Sequence, residues 1–306
     1  MLEPTFDEQN SSYPQFYTWQ NYRCAYEVHQ PKNTSSTGTP LLLIHPIGVG
    51  LSRLFWQRFC REWYQTNHQN LIFNPDLLGC GDSDTPCKAY KPIDWAEQLQ
   101  YFLQTVVKQP VILIVQGALL PVAIELVKLA PSFIAGVVMS GPPPWKLITK
   151  KPVKWRQNLL WSIFNSPIGN AFFRYARTRN FLRSFSEERL FASLENVDED
   201  WLTTLLKDAQ NMGGRYAVFA FLARFWQRDY TDDIAKIEQP TLVVVGDTAS
   251  SINKDTNQET PDERISAYMA GLPNGRGIKI IGRNVLPYES TTEFVAAISP
   301  FIEAIN

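Results

Sequence analysis

The sequence predicts an α/β fold, in which a mostly parallel central sheet is flanked by helices. Residues 111–126 supply the first observation: a β-branched run that ends at Val115, a tight turn at Gln116 and Gly117, and then apolar positions at helical spacing. Such a run is typical of a strand that is buried on both faces of a parallel sheet. The second observation is that apolar runs of strand length alternate with amphipathic helical patterns, which favours parallel strands joined by right-handed crossovers.

The other elements follow from the same two periodicities, taken in chain order. Residues 16–28 predict a hairpin, because aromatic and β-branched residues surround Asn21. Buried strands are predicted at 41–44, 71–73, 136–140, 241–245 and 278–281, and helices at 52–64, 93–107, 261–269 and 292–305. From 145 to about 229 only helical patterns remain. We therefore expect an N-terminal arm at 1–15, an α/β core at 16–144 and 230–306, and an inserted helical cap at 145–229.

Composition restricts the class of protein. The formal charge of −1 gives no global field that would recruit nucleic acid. The four cysteines have no metal-ligand spacing and are expected to be free thiols in a reducing compartment. The first residues lack the apolar run of a secretory signal, and no run approaches the ~20 apolar residues of a spanning helix. We expect a soluble, cytoplasmic protein with no metal and no other cofactor.

Several stretches resemble the α/β-hydrolase superfamily, and the resemblance covers residues 16–305. HPIG at 45–48 resembles the oxyanion-hole loop, NPDLLGCGDS at 74–83 resembles the P-D-x-x-G-x-G-x-S loop, and TLVVVGD at 241–247 resembles the strand before the catalytic acid. Residues 111–126 resemble the strand, turn and helix of the nucleophile elbow. HPIGVGL and NPDLLGCGDSD also resemble a branch found in oxygenic phototrophs. The resemblance implies the α/β-hydrolase fold, an inserted cap and a Ser-Asp-His triad.

The three triad positions carry residues that have no such chemistry. The nucleophile position falls on Gly117, the acid position on Ala249 and the histidine position on Val285. Acyl transfer needs a nucleophile and an imidazole that accepts its proton. The chain has three histidines, His29, His45 and His68, and all of them precede the elbow. We therefore expect no catalytic residue, with His45 and Asp247 as the weak fallback for an unrecognised site.

A ligand pocket is still expected at the elbow, where a glycine adopts the strained backbone of this turn without cost. The expected lining is His45, Ile47, Gln116, Gly117, Ala118 and Val285. Val115 and Leu119 replace the small residues that flank an elbow, so we expect the turn to open and part of the pocket to be filled.

Each chemically suggestive residue also has a structural interpretation, which we favour. His45 shapes its loop, Asp76 and Asp82 hold loops together, and Cys80 is inert. Asp247 is a turn residue at a strand end, and Ser140 ends a strand.

A basic surface with interleaved aromatic residues is the one positive indication of a partner. Residues 126–186 contain ten Lys or Arg and no Asp or Glu. The predicted patch consists of Lys150, Lys151, Lys154, Arg156, Trp161, Arg174 and Arg177. Basic and aromatic residues together are typical of helices that lie on anionic membranes. The alternative, which we favour, is a lid whose aromatic residues line the pocket and whose charges are merely solvated. Nucleic acid is disfavoured because no recognition motif accompanies the patch.

Three functions remain open. The first is a catalytically degenerate protein, or pseudoenzyme, that binds an apolar small ligand or a partner protein, with a membrane surface as one place where it could do so. The second is an active hydrolase or lyase of small apolar esters with an unrecognised site. The third is an assembly factor at the periphery of an anionic membrane.

Overall fold

A single eight-stranded sheet organises the protein. The computed structural model describes residues 13–31, 36–250 and 259–306, so most of the predicted arm at 1–15 lies outside the described residues. The strands are β1 (Gln15–Trp19), β2 (Tyr22–His29), β3 (Leu41–Ile44), β4 (Ile72–Pro75), β5 (Val111–Gln116), β6 (Ile134–Ser140), β7 (Thr241–Gly246) and β8 (Gly275–Ile280). Their order is β1-β2-β4-β3-β5-β6-β7-β8. The two pairings made by β2 are antiparallel and all others are parallel, which confirms the predicted fold class.

Helices follow the strands as the sequence predicts. They are α1 (Gln57–Gln65), α2 (Pro92–Phe102), α3 (Leu120–Leu129), α4 (Trp145–Ile148), α5 (Lys154–Phe164), α6 (Pro167–Ala176), α7 (Arg179–Phe185), α8 (Glu199–Asp208), α9 (Arg215–Leu222), α10 (Thr231–Ile234), α11 (Pro261–Gly271), α12 (Leu286–Glu289) and α13 (Thr291–Glu303). The stretch from 145 to 229 is described throughout and contains helices and loops without a strand. We call residues 145–229 the insertion.

The core lies on both faces of the sheet because successive side chains of a strand point to opposite faces. In β5, Leu113 and Val115 belong to the apolar cluster that includes residues of α2, α3 and α11. Ile112 and Ile114 belong to the cluster that includes residues of α1 and α13. All six residues of β5 are buried, as a central strand of a doubly covered parallel sheet requires.

Strand β8 begins at Gly275, three residues before the predicted start at 278. Glycines at 275 and 277 read as strand breakers in the sequence. A side chain at Gly277 would collide with Ile265 of α11. The glycine therefore permits close packing of helix on strand, which a local pattern does not reveal.

Candidate functional site

The turn after β5 has kept the geometry of an elbow. Gly117 has φ +63°, in the left-handed region, and a short 3₁₀ turn then leads into α3. Val115 and Leu119 on either side are fully buried in the core. The expectation that these two residues open the turn is wrong, because both side chains point into the apolar layer that already covers the sheet. A Cβ atom built on Gly117 would meet only the carbonyl oxygen of Gly141, at 4.0 Å.

Polar groups beside Gly117 hold neighbouring elements together. The Gln116 side-chain amide donates to the carbonyl oxygen of Asn284 at 2.6 Å. The Ser140 hydroxyl donates to Gln116 Oε1 at 2.7 Å. Gln116 thus joins β5, β6 and the loop that follows β8. The Ser140 hydroxyl has an amide as its neighbour here, and an amide oxygen is not basic enough to activate it.

The acid and histidine positions of the triad carry apolar, buried side chains. Ala249 is 6% exposed and Val285 is 3% exposed. Val285 belongs to the cluster on the second face of the sheet, together with Phe191 of the insertion. Asp247 is exposed, and its carboxylate accepts the backbone N–H of Gly282 at 3.0 Å. That bond fits a turn residue that fastens the loop after β8.

His45 lies wholly inside the protein. Its Nδ1 is 2.8 Å from the carbonyl oxygen of Pro46, and its Nε2 accepts the backbone N–H of Leu77 at 3.2 Å. These two partners define a neutral imidazole with the proton on Nδ1. Burial lowers the pKa of His45 to about 4. The ring therefore clamps two loops together, and both of its nitrogens are occupied by backbone groups.

The other two histidines are engaged elsewhere. His29 Nε2 is 3.2 Å from a carboxylate oxygen of Glu27 at the end of β2. The His68 ring stacks on Trp63, with the ring centroids 3.9 Å apart.

The loop that follows β8 is bonded to the insertion. Asn284 donates from its backbone N–H to the Leu190 carbonyl at 3.1 Å and from its side chain to the Arg189 carbonyl at 2.7 Å. The Arg283 guanidinium donates to the Glu188 carbonyl at 2.8 Å. Glu289 accepts the backbone N–H of Ala192 at 2.9 Å. This loop, which would carry a catalytic histidine, is thus a fixed joint between the core and the insertion.

A buried ionic network supports the 74–83 loop, and its central residue was missed by the sequence analysis. Arg53 is 3% exposed and bonds three carboxylates, those of Glu27, Asp76 and Asp82. Asp76 also accepts the backbone N–H groups of Arg53 and Asp82. Burial raises the pKa of Asp76, although the Arg53 guanidinium opposes the shift. The predicted loop-holding role of Asp76 and Asp82 agrees with these contacts.

Two clefts border the 74–83 loop, and neither is lined by a residue of the elbow. One of about 400 Å³ is lined by polar residues that include Asp82, Thr85, Lys207, Asp208 and Asn211. The other, of about 20 Å³, is lined by residues that include Gly50 and Phe173. Cys80 borders the smaller cleft, and its burial raises the pKa of its thiol well above the ordinary value. That shift favours the inert interpretation of Cys80.

The residues predicted to line the elbow pocket differ in their accessibility. His45, Ile47, Gln116 and Val285 are buried, whereas Gly117 and Ala118 are half-buried. Within the described residues, no cluster of three His, Cys, Asp or Glu side chains is arranged to hold a metal ion.

The predicted basic patch needs two corrections. Lys150, Lys151, Lys154, Arg156 and Arg174 are exposed. Trp161, in contrast, packs inward edge-to-face on Phe225, with the ring centroids 5.9 Å apart. Arg177 donates to the carbonyl oxygens of Ala209 and Gln210 at 3.3 and 3.2 Å. Position in the sequence predicts both residues in the patch, but residues that follow α9 and α8 contact them instead. No helix within the described residues has the length and apolar character needed to cross a membrane.

The sheet order, the turn at Gly117 and the flanking helices define an α/β-hydrolase fold. The chain belongs to the alpha/beta hydrolase family, whose model matches residues 41–298. A comparison with curated protein sequences finds no match.

Several solved structures are similar to this chain. A serine hydrolase involved in carbazole degradation has a TM-score of 0.73 and 16% identity, covering 96% of this chain and 100% of that one. A thermophilic esterase from Thermogutta terrifontis has a TM-score of 0.71 and 16% identity, covering 96% and 99%. Cfl2 from Burkholderia cenocepacia has a TM-score of 0.74 and 18% identity, covering 94% and 95%. At sequence identities this low, these comparisons show that the folds are similar and nothing about activity.

Proposed function

We propose that this protein binds a partner and has kept the α/β-hydrolase fold without the hydrolytic chemistry. One observation carries the proposal: the elbow presents Gly117, and each of the three imidazoles in the chain is engaged away from it. Acyl transfer needs a nucleophile and a base within hydrogen-bond reach of each other. Neither a hydroxyl at residue 117 nor a histidine to activate one is present in this sequence.

The two fallback residues have roles that support the same proposal. His45 could act as a base only by giving up the bond that its Nε2 accepts from the Leu77 N–H. Its lowered pKa also makes it a poor proton acceptor near neutral pH. Asp247 fastens Gly282 through its carboxylate and has no imidazole to orient. Both side chains therefore have a structural role, in which each holds a loop through a hydrogen bond to its backbone.

The insertion is the better candidate for the recognition surface. Of the residues expected to line the elbow pocket, Gly117 and Ala118 alone are partly accessible, so an apolar small molecule would find little to contact there. The insertion instead exposes large apolar side chains, among them Trp155, Ile168 and Tyr175 at 62%, 71% and 62%. Exposed apolar surface of this kind marks an interaction site more often than a random surface does.

Ester turnover and serine labelling test the loss of chemistry. We expect the purified full chain to hydrolyse p-nitrophenyl acetate and butyrate no faster than the heat-unfolded protein, and to resist a fluorophosphonate probe. A Gly117→Ser variant should gain no turnover, because a serine there still lacks a base. Turnover that is abolished by His45→Asn or by Asp247→Asn would overturn the proposal and establish an active hydrolase with an unrecognised site.

A further inference from the structure

Exposed apolar side chains are concentrated on two neighbouring helices of the insertion. Of the fourteen exposed large apolar side chains in the described residues, seven lie between residues 153 and 175. That stretch contains α5 and α6 with their connection. Half of the exposed large apolar groups thus occupy less than a tenth of the chain. Single exposed apolar residues need no explanation, but a contiguous group does.

The exposed residues of α5 form one stripe along the helix. Trp155, Leu159 and Ile163 recur every four residues and are 62%, 52% and 43% exposed. Residues at this spacing share one face of a helix. Lys154 and Arg156 stand next to Trp155 in sequence and therefore point about 100° to either side of the stripe. The Arg156 guanidinium lies 5.3 Å from the centroid of the Trp155 ring.

Helix α6 repeats the arrangement. Ile168, Phe172 and Tyr175 are 71%, 37% and 62% exposed, and their spacing of four and three residues again puts them on one face. Arg174, next to Tyr175 in sequence, is exposed on the flank of this stripe. The two helices thus present a similar pattern of apolar centre and basic margin.

The faces of both helices opposite their stripes are packed on α9. Of the stripe residues, Phe172 also contacts Phe219 of α9, with the ring centroids 6.4 Å apart. The exposed stripes are therefore not simply a poorly formed core. Phe164 stacks on Phe219 of α9 with the ring centroids 5.0 Å apart, and Phe173 meets the same ring edge-to-face at 5.9 Å. Gln157 donates to the Arg224 carbonyl at 2.6 Å. A side chain at Gly169 would collide with the backbone of Phe164, so this glycine lets α6 start directly against the end of α5. Helices α5 and α6 are therefore held in place by their packed faces while their stripes stay exposed.

The charges around the stripes are of one sign, and Lys151 has an acidic neighbour: hydrogen bonds from Thr231 lower the pKa of Asp229, and the charge of Lys151 adds to that shift. Lys150, Lys151, Lys154, Arg156 and Arg174 are exposed, and within the described part of the chain none of the five is in an ion pair. Residues 126–186 contain no acidic residue at all. A second copy of the chain docked by two-fold symmetry would bring these cations against themselves. The partner that matches this surface therefore has an apolar interior and negatively charged groups at its surface.

We infer that the α5–α6 face docks the protein on an anionic lipid surface, with the two apolar stripes inserted among the acyl chains and the cations among the headgroups. The inference rests on the proposed binding function. Side chains such as Trp155 and Tyr175, with an apolar body and a polar group, suit the boundary between headgroups and hydrocarbon. Neither of the two clefts is lined by a residue of either stripe, which fits a fluid surface better than a shaped peptide. Amphipathic helices with basic margins bind membranes in this way.

Co-sedimentation with vesicles tests the inference on the full chain. We expect the protein to bind vesicles of phosphatidylcholine with 30% phosphatidylserine, whose surface potential is negative. Binding to vesicles of phosphatidylcholine alone should be weaker. Raising the salt concentration should release the protein from the anionic vesicles. Lys151→Glu, Lys154→Glu and Arg174→Glu together should weaken binding more than tenfold, since each cation near such a surface contributes roughly fivefold. Ile168→Ser should weaken binding roughly fivefold through lost apolar contact.

Matched substitutions elsewhere on the surface show whether a loss of vesicle binding comes from the α5–α6 face or from the change in net charge and hydropathy of the whole protein. Arg61, Lys236 and Arg276 are exposed outside the insertion, and changing all three to Glu alters the net charge by the same amount as the α5–α6 variant. Ile281 is 61% exposed, so Ile281→Ser matches Ile168→Ser. The inference requires that both controls bind vesicles like the unmodified protein. Equal losses in test and control variants would overturn it.

Two further outcomes would also overturn the inference. The first is a wild-type protein that does not sediment with the anionic vesicles. The second is a dimer, detected by analytical ultracentrifugation without lipid, that Ile168→Ser dissociates, because this result would assign the face to a second copy. Neither outcome bears on ester turnover, so a failure of the docking inference is distinguishable from a failure of the proposed function.

Discussion

Replacing Gly117 by alanine measures the free-energy cost of the left-handed backbone conformation at the turn. A residue other than glycine in the left-handed region is strained by about 1–2 kcal/mol. Loss of glycine also restricts the unfolded chain, which offsets about 0.4–1 kcal/mol. Because a Cβ on Gly117 would meet nothing closer than the Gly141 carbonyl oxygen at 4.0 Å, no steric cost is added. We therefore expect Gly117→Ala to destabilise the protein by about 1 kcal/mol, and Gly117→Ser to behave alike.

Gly50 provides the comparison, because it has the same kind of backbone and a different environment. Its φ is +77°, but a Cβ there would collide with the backbone of Leu205 in α8. Gly50→Ala must therefore displace α8 from the 45–48 loop region as well as strain the turn. A core overpacked in this way costs about 1–3 kcal/mol more. The destabilisation should be at least twice that of Gly117→Ala.

Urea unfolding monitored by tryptophan fluorescence measures both variants, since the chain contains nine tryptophans. The midpoint should fall slightly for Gly117→Ala and markedly for Gly50→Ala, and the slope with urea concentration should be unchanged for the former. If Gly117→Ala were as damaging as Gly50→Ala, the space next to residue 117 would be occupied, and the conclusion that this position has room for a side chain would be refuted.

Two more predictions concern buried charge. The folded pKa of His45, about 4, lies below its ordinary value of 6.5, so the folded state binds fewer protons and stability falls as the pH drops from about 6.5 towards 4, by up to about 3 kcal/mol. His45→Asn should flatten that part of the profile of unfolding free energy against pH, and parallel profiles for variant and wild type would contradict the assignment. Arg53→Met should cost about 3–5 kcal/mol in urea unfolding, because it leaves Glu27 and Asp76 buried without their cation. Arg179→Met, which removes an exposed ion pair with Glu199, should change stability little, and an equal loss for the two variants would exclude a special role for the Arg53 network.

The fold was predictable because short stretches of the sequence, by the spacing of their apolar residues, indicate which segments are strands and which are helices. A run such as residues 111–115 specifies a buried strand by its own composition, and the alternation of strands and helices then restricts the topology to a few choices. Gly117 was also predictable as the elbow, because the helix after it begins in a recognisable way. The strand at 275–280 was shortened in the prediction because the reason for its glycines is a contact with α11, distant in sequence.

The details of the site depend on contacts that no short window of sequence contains. Arg53 meets Glu27 and Asp76 only after β2, the end of β4 and the 3₁₀ turn that precedes α1 are assembled. Trp161 was placed on the surface because it stands among basic residues, yet Phe225, 64 positions later, covers it. The same dependence explains Ile168, whose exposure follows from which side of α6 faces α9. A hydrophobic residue signals burial in the sequence, and only the assembled helices show where that expectation is not met.

The bonds between the 283–289 loop and residues 188–192 have a consequence for cooperativity. Enzymes that admit substrate and release product need segments that open on the time scale of turnover, and this need limits how tightly such segments can be fastened. Here the backbone and side chain of Asn284, together with Arg283 and Glu289, tie the end of the sheet to the insertion. The amide protons of this joint should exchange with solvent only when the whole molecule unfolds. The insertion is then a permanent part of one folding unit, and its outer helices form a stationary platform.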